Sequence, residues 1–339
     1  MQHDLTIETI RRGGKRALSD VLALAEHSFH EARVTALLDE AYLNPKAHVV
    51  GFTGPPGVGK STLINKLIAA WRASGKTVGV IAVDPSSKKS GGALLGDRTR
   101  MITDPEDQGI FVRSLASRGQ LGGVSQLTFP ALVLMRAIFD VVLIETVGVG
   151  QSEADITAHA DSVVLCVQPG SGDSLQFMKS GIMEIPDIAV VTKGDTGPIV
   201  SRAVADLKGA LSLTNTDSRQ NGPVVLTVSA LKDEGLDGLI TAIDEHYSLL
   251  SESDLPETEV LDATNEAGDI VLRKETGLAS RRAQQAIKWL EGEILKDYGQ
   301  QGLALVAETL DFEALIAEDS GPFKKQQFLK NGLILSFKG

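Results

Sequence analysis

Seven short runs rich in β-branched residues recur along this chain, at 47–53, 77–84 (TVGVIAVD), 110–113, 140–145 (DVVLIE), 162–168, 187–192 (DIAVVT) and 224–228 (VVLTV), with helical patterns between them. The runs are almost continuously apolar. Strands with one wet face alternate apolar and polar residues, whereas strands covered on both faces do not. Buried strands separated by helices predict an α/β fold with a mostly parallel sheet. In such a sheet ligands bind beyond the carboxyl ends of the strands, so the residues that follow each run are where chemistry is expected.

The first run leads into GFTGPPGVGKST, residues 51–62, and Gly54 to Ser61 match G-x-x-x-x-G-K-[ST] without a mismatch. Gly54, Gly57 and Gly59 permit backbone angles that side chains block, so successive N–H groups can curl around a phosphate. Lys60 then reaches the β and γ phosphates, and the Ser61 hydroxyl is placed for Mg²⁺. The flanking segments AHVVGFT and KSTLINKLIAAW read as strand and helix, which is the order a P-loop NTPase requires.

The other strand ends add to this site. Glu145, in ETVGVG, stands where a strand-end carboxylate holds the metal through water, and Gly148 can approach a γ-phosphate. Asp84 ends the run 77–84 and Asp97 follows in LGDRTRM. These oxygen ligands suit Mg²⁺, which keeps several waters. The tetrapeptide TKGD, Thr192 to Asp195, names the base: the Asp195 carboxylate can accept from guanine N1–H and its 2-amino group, a pattern adenine lacks. Lys193 can lie along the ring. Ser229, Ala230 and Leu231 (SAL) follow the next strand and supply backbone contacts to the guanine oxygen. The nucleotide expected is therefore GTP or GDP.

Around this centre, residues 1–45 form a helical extension, with Leu18, Val21, Leu22 and Ala25 at helical spacing, and 46–250 form the P-loop domain. The acidic, aperiodic stretch 251–267 reads as a linker. In 268–339, Ala283, Ile287, Leu290 and Ile294 make an apolar stripe, expected to be covered by a second copy as a dimerisation region. The net charge of −11 argues against nucleic acid or an anionic membrane as partner. No run approaches the roughly 18 apolar residues of a membrane span. Asp4 and Glu8 interrupt the N-terminus, and the single cysteine, Cys166, lies in the apolar run SVVLCVQ as a small buried hydrophobe, so a cytoplasmic protein is expected.

Beyond these motifs, VDPSSKKSGGALLGDRTRM, SRGQLGGVS, FDVVLIETVGVGQSE and QPGSGDSLQFMKSGIMEI resemble the methylmalonyl-CoA mutase-associated GTPases, the MeaB/ArgK and MMAA group, from the helical extension to about residue 298. The resemblance implies a homodimeric GTP-hydrolysing chaperone that guards and loads an adenosylcobalamin-dependent acyl-CoA mutase. It also implies phosphate binding by Gly57, Gly59, Lys60, Ser61 and Thr62, magnesium assistance by Asp84, Asp97 and Glu145, and guanine recognition by Asp195. The segment 170–181 resembles a switch of that family, with Lys179 as a catalytic contact in the partner-bound state. Thr192 and Gly194 stand where the family commonly has Asn and Ala. Two other readings share the fold. A nickel-delivery GTPase would need a Cys/His cluster, against six scattered histidines and one cysteine. A kinase tied to basic amino acid transport would need a phospho-acceptor pocket.

Overall fold

The computed structural model describes residues 5–28, 31–84, 101, 104–116, 128–146, 154–170, 186–214, 223–252, 277–309 and 321–338. The chain begins with α1 (Ile7–Ser28) and α2 (Ala32–Leu43), then alternates β1 (His48–Thr53), α3 (Lys60–Ala73), β2 (Val78–Asp84), β3 (Ile110–Ala116), α4 (Thr128–Ile138), β4 (Val141–Glu145), β5 (Ser162–Val167), β6 (Ile188–Val191), α5 (Ile199–Thr214), β7 (Val224–Thr227) and α6 (Leu236–Glu252). Two further helices follow, α7 (Leu278–Thr309) and α8 (Pro322–Lys338). All seven expected strands are present, and they pair in parallel in the order β3-β2-β4-β1-β5-β6-β7.

The central strand β1 is buried along its whole length, and so is β4, because helices cover both faces. One face carries α3 and α6, with Leu63, Leu67, Trp71, Leu239 and Ile243 against Val50, Phe52 and Val80. On the other, α4 lies between the sheet and the helices α1, α2, α7 and α8. A smaller apolar cluster seats α5 on β5, β6 and β7.

The helices expected to flank the nucleotide domain share one core with it. Leu290 and Ile294 of the α7 stripe are fully buried, and Ala283 and Ile287 pack against the apolar cluster that α1, α2 and α4 form. Leu290 and Ile294 are thus covered by their own chain, which corrects for these two residues the expectation that a second copy covers them, while Ala283 and Ile287 are half-buried. Phe129 of α4 stacks on Trp289 of α7 with ring centroids 5.2 Å apart, and Phe323 of α8 lies tilted against both, 5.9 Å from Phe129 and 4.7 Å from Trp289. Asp39 closes the arrangement: its carboxylate accepts the N–H groups of Phe323 (3.0 Å) and Lys324 (3.1 Å), capping the N-terminus of α8 from α2. No helix among the described residues is long and apolar enough to cross a membrane.

Candidate functional site

The phosphate loop bridges β1 and α3 at the carboxyl edge of the sheet. Gly54 has φ 134 and lies so close to β5 that an added Cβ would come 2.2 Å from the Cys166 carbonyl oxygen. Any side chain there would displace the neighbouring strand. Gly59 (φ 101) caps α3 in the left-handed region, and both it and Gly57 (φ 75) face open space. The loop therefore presents its backbone, with the positive end of the α3 dipole, to whatever anion sits in front of it. Lys60 is buried, and its Nζ donates to the carbonyls of Gly54 (2.6 Å) and Pro55 (3.0 Å), folding the ammonium back over the loop.

Behind the loop, Ser61 Oγ donates to Glu145 Oε1 at 2.6 Å. Parallel pairing of β1 with β4 sets Phe52 beside Glu145, which brings the strand-end carboxylate to the first turn of α3. Glu145 is buried, and Thr62 is exposed at the start of α3. Asp84 is the last residue of β2, two positions beyond Ala82, the register partner of Glu145. Asp97, Gly148 and Lys179 lie outside the described residues.

The base-side residues converge from β5, β6 and β7. Thr192 Oγ1 is 2.7 Å from the Val58 carbonyl of the phosphate loop and 3.0 Å from that of Val167. Its single hydroxyl proton serves one of these acceptors at a time. Lys193, in the left-handed region (φ 53), extends its Nζ to the Gly57 carbonyl (3.0 Å) and to Gln168 Oε1. At Gly194 an added Cβ would meet Thr227 Cγ2 at 2.7 Å, so the tight seat of this loop on β7 favours glycine there. Ser229 Oγ donates to Asp195 Oδ1 at 2.6 Å, and this bond first of all holds the half-buried carboxyl below its ordinary range. Ser229 and Glu234 exchange backbone hydrogen bonds across a short turn that includes Ala230 and Leu231, the latter 81% exposed.

Every described residue expected at the site is thus found along one edge, with phosphate loop, metal-side carboxylate and base loop linked by direct hydrogen bonds. Gln168 was not among the expected residues. Its place directly after β5 is the signal by which inspection of strand ends would have found it. Cys166 is fully buried, and burial pushes its thiol up to about 12, so it remains protonated and offers no thiolate to a metal.

A family profile described as methylmalonyl-CoA mutase-associated GTPase MeaB matches residues 16–287. The chain belongs to the MeaB family. A Pyrococcus horikoshii protein that carries the provisional name GTPase is 45% identical over 256 residues, covering 74% of this chain and 79% of its own. The mitochondrial methylmalonic aciduria type A homolog of Mus musculus is 39% identical over 241 residues, 66% of this chain and 58% of that one. Among solved structures, one titled LAO/AO transport system kinase superposes with a TM-score of 0.61 at 26% identity, covering 96% of both chains.

Proposed function

We propose that this protein binds GTP with Mg²⁺, hydrolyses it to GDP and phosphate, and uses that cycle as a chaperone for an adenosylcobalamin-dependent acyl-CoA mutase, working as a cytoplasmic homodimer. The observation that carries the nucleotide part is the pair of links at the two ends of one loop: Ser61 to Glu145 on the metal side, and Thr192 and Lys193 to Val58 and Gly57 on the base side. The mutase as partner is supported by the family description and by the methylmalonic aciduria type A relative.

The chemistry follows from placement. The loop N–H groups and Lys60 bind and neutralise the phosphates, and Asp195 selects guanine. Ser61 and Glu145 fit Mg²⁺, with hard oxygen donors 2.6 Å apart beside the phosphate loop, Ser61 as ligand and Glu145 through water. When bound, the ion offsets charge on the β and γ phosphate oxygens. Asp84, Asp97 and Lys179 complete the proposed set. Val149 follows Gly148, the place where a glutamine orients the attacking water in many small GTPases, so unaided turnover should be slow and an external surface should raise it.

The test is phosphate release from GTP by the protein alone and with a purified mutase. The expected result is a several-fold acceleration, about 1 kcal/mol of barrier, that Lys60→Ala abolishes. Label transferred from GTP to a protein side chain instead of water would favour the kinase reading, and absence of both complex and acceleration would remove the chaperone role.

A further inference from the structure

Lys193 is anchored at both ends. Its backbone is left-handed, and its ammonium is held by the Gly57 carbonyl and by Gln168 Oε1, so the stem spans from the base loop to the phosphate loop. Gln168 sits in a constrained piece of backbone. It directly follows β5, and two residues further on Gly170 (φ 76) lies close enough to α5 that an added Cβ would be 3.0 Å from Ile199 Cδ1.

We infer that Gln168 is a positioning residue for the guanine nucleotide, acting through Lys193. This rests on the base-loop reading given above. A lysine stem is flexible and loses rotamer freedom when a ligand settles on it, and a stem that is already held loses less. Gly57 alone would leave the ammonium one anchor to pivot about; Gln168 adds the second from a different strand. The contact reaches neither the Asp195 carboxylate nor the bond between Ser61 and Glu145. Its loss therefore weakens GDP and GTP alike and leaves the preference for guanine over xanthine unchanged. Because it affects how firmly a bound base is covered, the effect falls on dissociation more than on association.

The experiment is stopped-flow binding and release of fluorescently labelled GDP by the full-length protein, with GTP and xanthosine diphosphate as competitors. Gln168→Leu should raise the dissociation rate about tenfold, the expected scale for a hydrogen bond to a charged group, with association little changed. Gln168→Glu keeps an acceptor oxygen and should restore slow release. In a Lys193→Met background, Gln168→Leu should add nothing, because its route is already gone. Wild-type release rates in Gln168→Leu, release from Gln168→Glu as fast as from Gln168→Leu, or additive effects in the double variant would each overturn the inference while leaving the guanine site standing. A wild-type protein that fails to bind labelled GDP would overturn both.

Discussion

Arg282→Met removes the partner of a fully buried carboxylate and gives a pH signature that can be worked out beforehand. Asp161 accepts Arg282 Nε at 3.0 Å, Arg282 Nη2 at 2.6 Å and the Val49 N–H at 2.9 Å. Arg282 Nη2 also donates to the Ala47 carbonyl at 2.9 Å, so this one guanidinium fastens the start of α7 to the segments entering β1 and β5. Burial pulls the Asp161 carboxyl upward, but the charge and hydrogen bonds of Arg282, aided by Arg136, hold it below the ordinary range. Without Arg282, of these three bonds only that from Val49 remains, and the burial effect wins. Breaking one side of such a pair costs about 3 to 5 kcal/mol. An independent ceiling agrees: the stranded carboxylate can always take up a proton, which at pH 7 costs about 4 kcal/mol for a group of unfolded pKa near 3.9.

The sign follows from that ceiling. In the wild type the folded pKa is depressed, so its contribution is complete above the unfolded value and is lost only as pH falls through the folded one. In the variant the folded pKa is raised, so the destabilisation grows with rising pH and shrinks on acidification, by up to about 1.4 kcal/mol per pH unit. Urea unfolding of wild type and Arg282→Met at pH 7, 6 and 5 measures this. The expected deficit is about 4 kcal/mol at pH 7, falling toward about 1.5 kcal/mol at pH 5. A deficit below about 1 kcal/mol, or one that stays constant across this range, would refute the reasoning.

Two further outcomes test the site. Asp195→Asn should lose affinity for GDP and gain it for xanthosine diphosphate, because the amide donates to the xanthine 2-oxygen where the carboxylate accepted from the guanine amino group; competition binding reads it, and ATP competing as well as GTP against the wild type would show the base assignment to be wrong. Gly54→Ala should lose nucleotide binding or fold poorly, since its Cβ would be 2.2 Å from backbone of β5; calorimetric titration with GDP that matches the wild type would contradict the geometry.

Much of the fold was legible because strand and helix leave their period in the residues that form them. All seven runs became strands, with the run expected at 110–113 extending to Ala116 and the others shifted by a residue or so at their ends. The phosphate loop was legible for a related reason: its function needs glycines, a lysine and a hydroxyl within a dozen consecutive positions. What was misjudged was the cover of Leu290 and Ile294 in the α7 stripe. Periodicity shows that Leu290 and Ile294 need an apolar surface, and it is equally satisfied by a second copy or by α2, α4 and α8 of the same chain.

The sequence by itself determined the element types, the parallel class of sheet, the glycine-rich loop that follows β1 and the turn that carries Asp195, because each depends on residues close together in the chain. Only the tertiary structure decided that Asp39 caps a helix 284 residues away, that Arg282 is the counter-ion of Asp161, and that Gln168 holds Lys193. Those contacts depend on strand order and helix placement, and a side chain carries no local mark of the partner that the folded chain brings to it.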